Sequence, residues 1–152
     1  MTLRPYADLR AIVALFTASV HDLAAGQYDA EQCEAWAPRS PDLQHWQQRL
    51  QVLNVMVAEA GSELAGFIGY GRNGHIDLLF TAPAAARAGV ATALYLHTEQ
   101  QLLNLRIHEL WTEASLLAKP FFARHGFIVE AEQTVQRDGI SLRRFAMRKK
   151  II

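Results

Sequence analysis

Residues 83–92 form a loop whose composition suits an anion-binding site. Most of its residues are small, and Gly89 stands where an apolar strand has ended and a helix is expected to begin. The first turn of a helix presents backbone N–H groups without intrahelical partners, at the positive end of the helix dipole. A phosphate could approach them closely, with a charge-assisted contact from Arg87 and a hydrogen bond from Thr92. Because small residues also fill ordinary tight turns, these observations alone leave anion binding and a plain connection as equal alternatives.

The hydrophobic pattern predicts the elements that must position this loop. Asp8 caps a first helix, Asp29 and Gln32 resemble a capping box that begins a second, and a third follows with Leu43 and Trp46 on one face. The remaining predicted elements are strands over about 55–60, 64–71, 75–81, 107–114, 127–133 and 140–147, and helices over about 89–104 and 117–124.

Turn residues predict how these strands are connected. The first three form an antiparallel meander, in which Asn73 and Gly74 supply the positive φ angles of a tight hairpin. The strand–helix–strand run across Gly89 implies a parallel pair joined by a right-handed crossover. We therefore expect an α+β (mixed α/β) domain. The final strand, 140–147, is expected to be exposed and available for a homodimer.

Composition narrows the class of protein. The chain has 152 residues, enough for one domain over 1–152, and its 51% hydrophobic content is enough for a core. Its formal net charge is zero, which disfavours a nucleic-acid partner. It lacks an N-terminal signal-like run and any uncharged apolar stretch of about 18 residues, so we expect a cytoplasmic protein with no membrane partner. Cys33, the only cysteine, has no partner for an intramolecular disulfide.

Two motifs resemble those of the GCN5-related N-acetyltransferase (GNAT) family. That family's acetyl-CoA motif is Gln/Arg-x-x-Gly-x-Gly/Ala after a strand; Gly89 and Ala91 match it, whereas Ala86 replaces the usual Gln or Arg. Residues 114–127 resemble the family's late helix motif, which ends in a Gly-Phe pair. Within the family, the chain is most similar to small, uncharacterised, YafP-like bacterial acetyltransferases.

The resemblance implies a fold and a cosubstrate. The expected fold is a mixed, mostly antiparallel sheet of about six to seven strands with about four helices, and acetyl-CoA lies in a gap between strands 75–81 and 107–114. A backbone N–H near Leu79 or Phe80 would polarise the thioester carbonyl. The implied cofactor-binding residues are Leu79, Phe80 and Thr81 for pantetheine, Arg87, Ala88, Gly89, Val90, Ala91 and Thr92 for pyrophosphate, and Ser115, Phe121 and Phe122 nearby.

The implied reaction is direct attack by an amine on the thioester in a ternary complex, which requires a group that takes the amine's proton. Glu113 is our first candidate, because a carboxylate within an apolar strand is costly to bury without a purpose. Asp77 and His75 are the others. Glu113 could instead face solvent or pair with an arginine.

The usual proton donor to the CoA thiolate is missing, because Phe122 occupies the position where many family members carry Tyr. A thiolate with a pKa of about 8.5 leaves at little cost near neutral pH, so its loss is tolerable. Ser115, Tyr70, Tyr95 or a water could act instead. Phe121 and Phe122 would then pack against the gap, or serve as core aromatics. The alternative function is a non-catalytic acyl-CoA-binding module.

The acceptor is expected to be a small-molecule or peptide amine that contacts the first helices. No acidic cluster marks a polyamine site, no basic pocket marks an acidic acceptor, and no ligand pattern marks a metal. The candidate residues from those helices are Thr17, His21, Tyr28, Trp36, His45 and Trp46.

Overall fold

A seven-stranded sheet in the order β1-β2-β3-β4-β5-β7-β6 forms the centre of the protein. The computed structural model describes residues 1–152. Its elements are β1 (Thr2–Pro5), α1 (Leu9–Leu23), α2 (Ala30–Trp36), α3 (Leu43–Gln51), β2 (Asn54–Ala60), β3 (Glu63–Tyr70), β4 (His75–Thr81), a 3-10 turn (Pro83–Ala85), α4 (Val90–Asn104), β5 (Glu109–Ser115), α5 (Lys119–Arg124), β6 (Ile128–Arg137) and β7 (Ile140–Lys150).

All neighbouring strands are antiparallel except β4 and β5, which are parallel and joined through α4. This confirms the predicted mixed, mostly antiparallel sheet and the parallel pair of strands joined through a helix. There are five α-helices, where about four were expected.

The predicted caps form at the first two helices. The Asp8 carboxylate accepts a hydrogen bond from the Ala11 N–H at 3.2 Å and opens α1. Asp29 and Gln32 form a reciprocal capping box that opens α2. Such caps satisfy backbone donors that the first turn leaves free, so they fix where each helix begins.

The helices cover the sheet in two separate hydrophobic cores. On one face, α1 to α3 pack against the sheet through buried residues that include Phe16, Trp46 and Leu78. On the other face, α4 and α5 pack through residues that include Leu94 and Phe122. No helix combines the length and hydropathy that a membrane span requires.

A β-bulge at Asp77 separates β4 from β5. Tyr70 of β3 pairs with Ile76 and the preceding Gly69 with Leu78, so Asp77 is an extra residue in β4. Pairing between β4 and β5 involves only His75 and Ile76 of β4, and it ends just before the bulge. Because a bulge bends its strand and increases the local twist, the rest of β4 diverges from β5 and opens a gap.

Two details of the predicted sheet are wrong. The final strand is not exposed at an edge, since β7 pairs with β5 on one side and β6 on the other. β6 forms the edge instead, which removes the basis given for a dimer through β7. In the turn before β4, only Gly74 has positive φ, at 97°, and Asn73 does not. The Asn73 side chain instead accepts a hydrogen bond from the His75 N–H at 3.1 Å.

Candidate functional site

A cavity of about 690 Å³ opens where β4 and β5 diverge. Aromatic side chains from α1, α2, α3 and β4 form one wall of this cavity. Their rings pack edge to face: the Phe16 ring contacts those of Trp46 and Phe80, each at a centroid distance of 4.8 Å. Edge-to-face packing fixes the rings in place and gives the wall a defined shape. Beyond Ile76, the edge of β4 that faces the gap has no strand partner, so it can hydrogen-bond an extended ligand.

Two ionisable pairs lie beside the cavity. His75 Nε2 is 2.9 Å from Glu113 Oε1, and the His75 ring stacks on Trp111 at a centroid distance of 3.8 Å. The Arg49 guanidinium donates to both oxygens of Asp77, at 3.2 and 3.1 Å. The side chains of Glu113 and Asp77 are only 21% and 23% exposed. Glu113 thus pairs with a histidine. The alternatives to a catalytic role that the sequence suggested were solvent exposure and an arginine partner.

The ligand atoms of His75, Asp77 and Glu113 lie within 4.8 Å of one another, close enough for a metal ion. The Arg49 guanidinium, however, occupies both oxygens of Asp77 and brings a positive charge beside them. The three side chains are therefore better described as two hydrogen-bonded pairs.

The loop before α4 has the geometry of an anion site. Arg87 and Gly89 both lie in the left-handed region, with φ of 61° and 82°. The first α-helical bond runs from the Ala93 N–H to the Gly89 carbonyl at 3.0 Å, and no side chain caps the helix. The amides of Val90, Ala91 and Thr92 precede that bond and have no intrahelical acceptor. Arg87, Ala88 and Gly89 are exposed, so a phosphate could reach this loop.

Gly66, which was not among the predicted site residues, sets the position of this loop. A Cβ atom at Gly66 would lie 2.8 Å from Val90 Cγ1 and 2.9 Å from the Phe80 carbonyl oxygen. Only glycine lets the first turn of α4 press this closely on β3. A glycine within a strand is the sequence signal for such close approach, but it does not identify the partner.

The late motif contributes to both the cavity and the second core. Phe122 is buried yet lines the cavity, whereas Phe121 packs edge-on against Tyr95. Ser115, at the end of β5, also lines the cavity, and its Oγ accepts a hydrogen bond from the Ala118 N–H at 3.1 Å. Tyr70 and Tyr95, offered as substitutes for the missing tyrosine, lie in the second core and do not line the cavity.

Tyr28 connects the loop after α1 to the floor of the cavity. Its hydroxyl donates to the Arg143 carbonyl at 2.7 Å and accepts from the Leu116 N–H at 2.9 Å. Burial raises the pKa of Tyr28, which keeps the phenol protonated. Among the other residues predicted from the first helices, Thr17, Trp36, His45 and Trp46 also line the cavity, whereas His21 does not and contacts the Ala37 carbonyl instead.

Four arginines line the cavity, contrary to the expectation that no basic pocket exists. They are Arg49, Arg137, Arg143 and Arg144. The sequence places three of them on the last hairpin, far from the acetyl-CoA motif. Only the pairing of β5 with β7 brings Arg144 beside Ser115.

Comparisons with known proteins give one consistent result. Residues 24–150 match the family described as "Acetyltransferase (GNAT) domain". The chain is 35% identical over 143 residues to the uncharacterized N-acetyltransferase YafP of Escherichia coli (strain K12), covering 94% of this chain and 90% of that protein.

Solved structures agree with this match. The crystal structure of the GCN5-related N-acetyltransferase described as aminotransferase, class-II, from Rhodopseudomonas palustris has a TM-score of 0.94 at 31% identity, covering 99% of this chain and 95% of that one. The PaiA N-acetyltransferase of Thermoplasma acidophilum, solved in complex with coenzyme A, has a TM-score of 0.76 at 23% identity over 98% of both chains. The chain therefore belongs to the GCN5-related N-acetyltransferase (GNAT) family.

Proposed function

We propose that this protein is an N-acetyltransferase, which transfers the acetyl group of acetyl-CoA to a primary amine by direct attack in a ternary complex. The observation that carries the proposal is the position of the His75–Glu113 pair, which borders the same gap as the unpaired edge of β4. The proposed cofactor-binding edge and the proposed proton acceptor would thus face the same cavity.

The cofactor end of the gap fits coenzyme A. The free edge of Leu79, Phe80 and Thr81 would pair with the amides of pantetheine as an added strand. The amides from Arg87 to Thr92 would hold the pyrophosphate, with the Arg87 side chain, which makes no ion pair, as a further contact. When bound, acetyl-CoA supplies the activated acetyl group.

Glu113 would accept the proton of the attacking amine, directly or through a water. The hydrogen bond from His75 orients its carboxylate, and the stacking of His75 on Trp111 holds the imidazole in turn. Asp77, whose two oxygens already accept from Arg49, would help to position the acceptor and serves as the second candidate base.

Ser115 is the side chain best placed to assist the departing CoA thiolate among the proposed substitutes. Because its Oγ accepts from the Ala118 N–H, its own O–H is free to donate a hydrogen bond into the cavity and would pass to the thiolate a proton that it regains from water. Because the CoA thiol has a pKa of about 8.5, the thiolate also departs at little cost without a donor, so a phenylalanine at position 122 is compatible with catalysis.

Replacement of Glu113 by Gln tests the proposal. The amide can still hydrogen-bond His75 but cannot take a proton, so kcat should fall by about a hundredfold or more, while the affinity for acetyl-CoA is retained. Glu109→Gln is the matched control, since Glu109 lies on the same strand but pairs with Arg148. Equal rates in both variants would contradict the role of Glu113, and Asp77→Asn would then identify the base.

A second candidate function is a non-catalytic acyl-CoA-binding module, which the phenylalanine at position 122 favours. It predicts tight binding of acetyl-CoA and no acetylated product with any amine. Release of CoA that depends on an added amine would exclude it.

A further inference from the structure

The last hairpin presents a basic face to the cavity. Direct cross-strand partners point to the same side of a sheet, and the pairs Gln133–Arg144, Val135–Leu142 and Arg137–Ile140 therefore share one face. Val135, Leu142, Arg137 and Arg144 all line the cavity, which identifies this face as its wall.

Arg137 and Arg144 are the two cavity arginines without a carboxylate partner. Arg144 donates only to the neutral side chain of Gln133, at 2.9 Å, and Arg137 only to the Gln136 carbonyl, at 3.3 Å. By contrast, Arg49 pairs with Asp77, and Arg143 pairs with Glu132 at 2.6 Å. A guanidinium has five N–H donors, so both unpaired arginines retain donors for a ligand.

The carboxylates that line the cavity are already engaged. Glu113 contacts His75 and Asp77 contacts Arg49. The Asp42 carboxylate accepts from the His45 N–H and caps α3. None of them forms an ion pair with Arg137 or Arg144, so the wall opposite the aromatic side chains keeps uncompensated positive charge.

We propose that the acceptor is an amine that also carries an anionic group, a carboxylate or a phosphonate, bound by Arg144, while Arg137, paired with Ile140 further along the same face, adds positive charge. This inference rests on the proposed function. Arg144 is the direct partner of Ser115, and Ser115 lies two residues, or about 7 Å, from Glu113 along β5. An acceptor with its amine at Glu113 therefore places a group a few bonds away within reach of the Arg144 side chain.

These arginines do not belong to the phosphate-binding end of the site. The helix α4, whose first turn forms that end, packs in the second core on the opposite face of the sheet from Leu142. Loss of Arg144 should consequently weaken the acceptor and leave acetyl-CoA affinity unchanged.

The test uses matched acceptors that differ in the anionic group. We would measure kcat/KM for L-phenylalanine against L-phenylalaninamide and phenethylamine, whose rings suit the aromatic wall, and for 2-aminoethylphosphonate against ethanolamine. A charge-assisted contact predicts a preference of about tenfold to a hundredfold for the anionic member. Comparison of L-phenylalanine with 2-aminoethylphosphonate shows whether the site prefers a carboxylate or a phosphonate.

Variants at two neighbouring residues, Arg144 and Arg143, test whether the preference depends on Arg144. Arg144→Gln should remove it through a higher KM for the anionic acceptor, and Arg144→Lys should restore part of it. Arg143→Gln removes the same charge one residue away, where the guanidinium pairs with Glu132, and should retain the preference.

Acetylation that is equally fast with neutral amines, or a preference that survives Arg144→Gln, would overturn the inference while the proposed function stands. If no amine is acetylated, the proposed function fails. Calorimetry can then still test whether the cavity binds anionic amines. Titration of the CoA-loaded protein with the same compounds should show binding of an anionic member and none of its neutral counterpart. No binding of either anionic compound would overturn it.

Discussion

Replacement of Gly89 by Glu separates the strain of its backbone from its proposed contact with the pyrophosphate of acetyl-CoA. Gly89 has a φ of 82°, and a Cβ atom placed there meets nothing within 4 Å. The variant therefore adds conformational strain and a carboxylate, without a steric clash in the free protein. Gly139 is a matched control, since its φ is 77° and its Cβ would also meet nothing within 4 Å, but it lies in the hairpin turn between β6 and β7.

The two effects have different sizes. A left-handed conformation costs a residue other than glycine about 1–2 kcal/mol, which lowers Tm by about 2–8 °C in a chain of this length. A carboxylate about 4 Å from a phosphate charge costs about 4 kcal/mol at an effective dielectric constant of about 20. That energy corresponds to about a thousandfold loss of affinity.

Thermal denaturation and calorimetric titration with acetyl-CoA measure both effects. Gly89→Glu and Gly139→Glu should lose similar stability, whereas only Gly89→Glu should lose affinity for acetyl-CoA. If Gly89→Glu binds acetyl-CoA as tightly as Gly139→Glu does, the pyrophosphate does not lie on the start of α4.

Two further variants test the surroundings of that helix. Gly66→Val places side-chain atoms against Val90 and the Phe80 carbonyl. Chemical denaturation should therefore show a free energy of unfolding lower by about 1–3 kcal/mol. An unchanged stability would contradict the close packing of α4 on β3. Burial would raise the pKa of Glu99, but hydrogen bonds from Tyr95 and Lys149 outweigh this effect, so the pKa is lowered in the folded protein. The stability that the ionised Glu99 adds is therefore fully present above its unfolded pKa of about 4.3. It is lost as the pH falls through the lower, folded pKa. Glu99→Gln should be about 1–2 kcal/mol less stable than wild type at neutral pH, and this difference should shrink below about pH 4. If denaturation curves show the same difference at every pH, the charge of Glu99 does not contribute to stability.

Local signals in the sequence predicted much of the fold. The caps at Asp8 and Asp29 depend on residues three apart, and the start of α4 at Gly89 follows from the position of this glycine between a strand and a helix. The crossover through α4 follows from the order of elements. Each of these features is encoded within a few residues or by a general rule of chain connection.

Features that depend on distant residues could not be predicted in this way. The bulge at Asp77 depends on how Tyr70 and Gly69 pair across the sheet. β7 lies inside the sheet because it pairs with β5 as well as with β6. The periodicity of a strand does not identify its partners, so this position could not be predicted. The basic wall at Arg144 follows from that same pairing, so the sequence alone suggested no anionic acceptor.

The location of the acetyl group after reaction tests the central claim most directly. Acetyl-CoA is mixed with the protein and a panel of amines, and mass spectrometry then measures acetylated amine, free CoA and acetylated protein. Direct transfer predicts equal amounts of acetylated amine and free CoA, with no acetyl group on the chain. Acetyl-CoA that binds but stays intact with every amine, or an acetyl group that first accumulates on the protein, would contradict it.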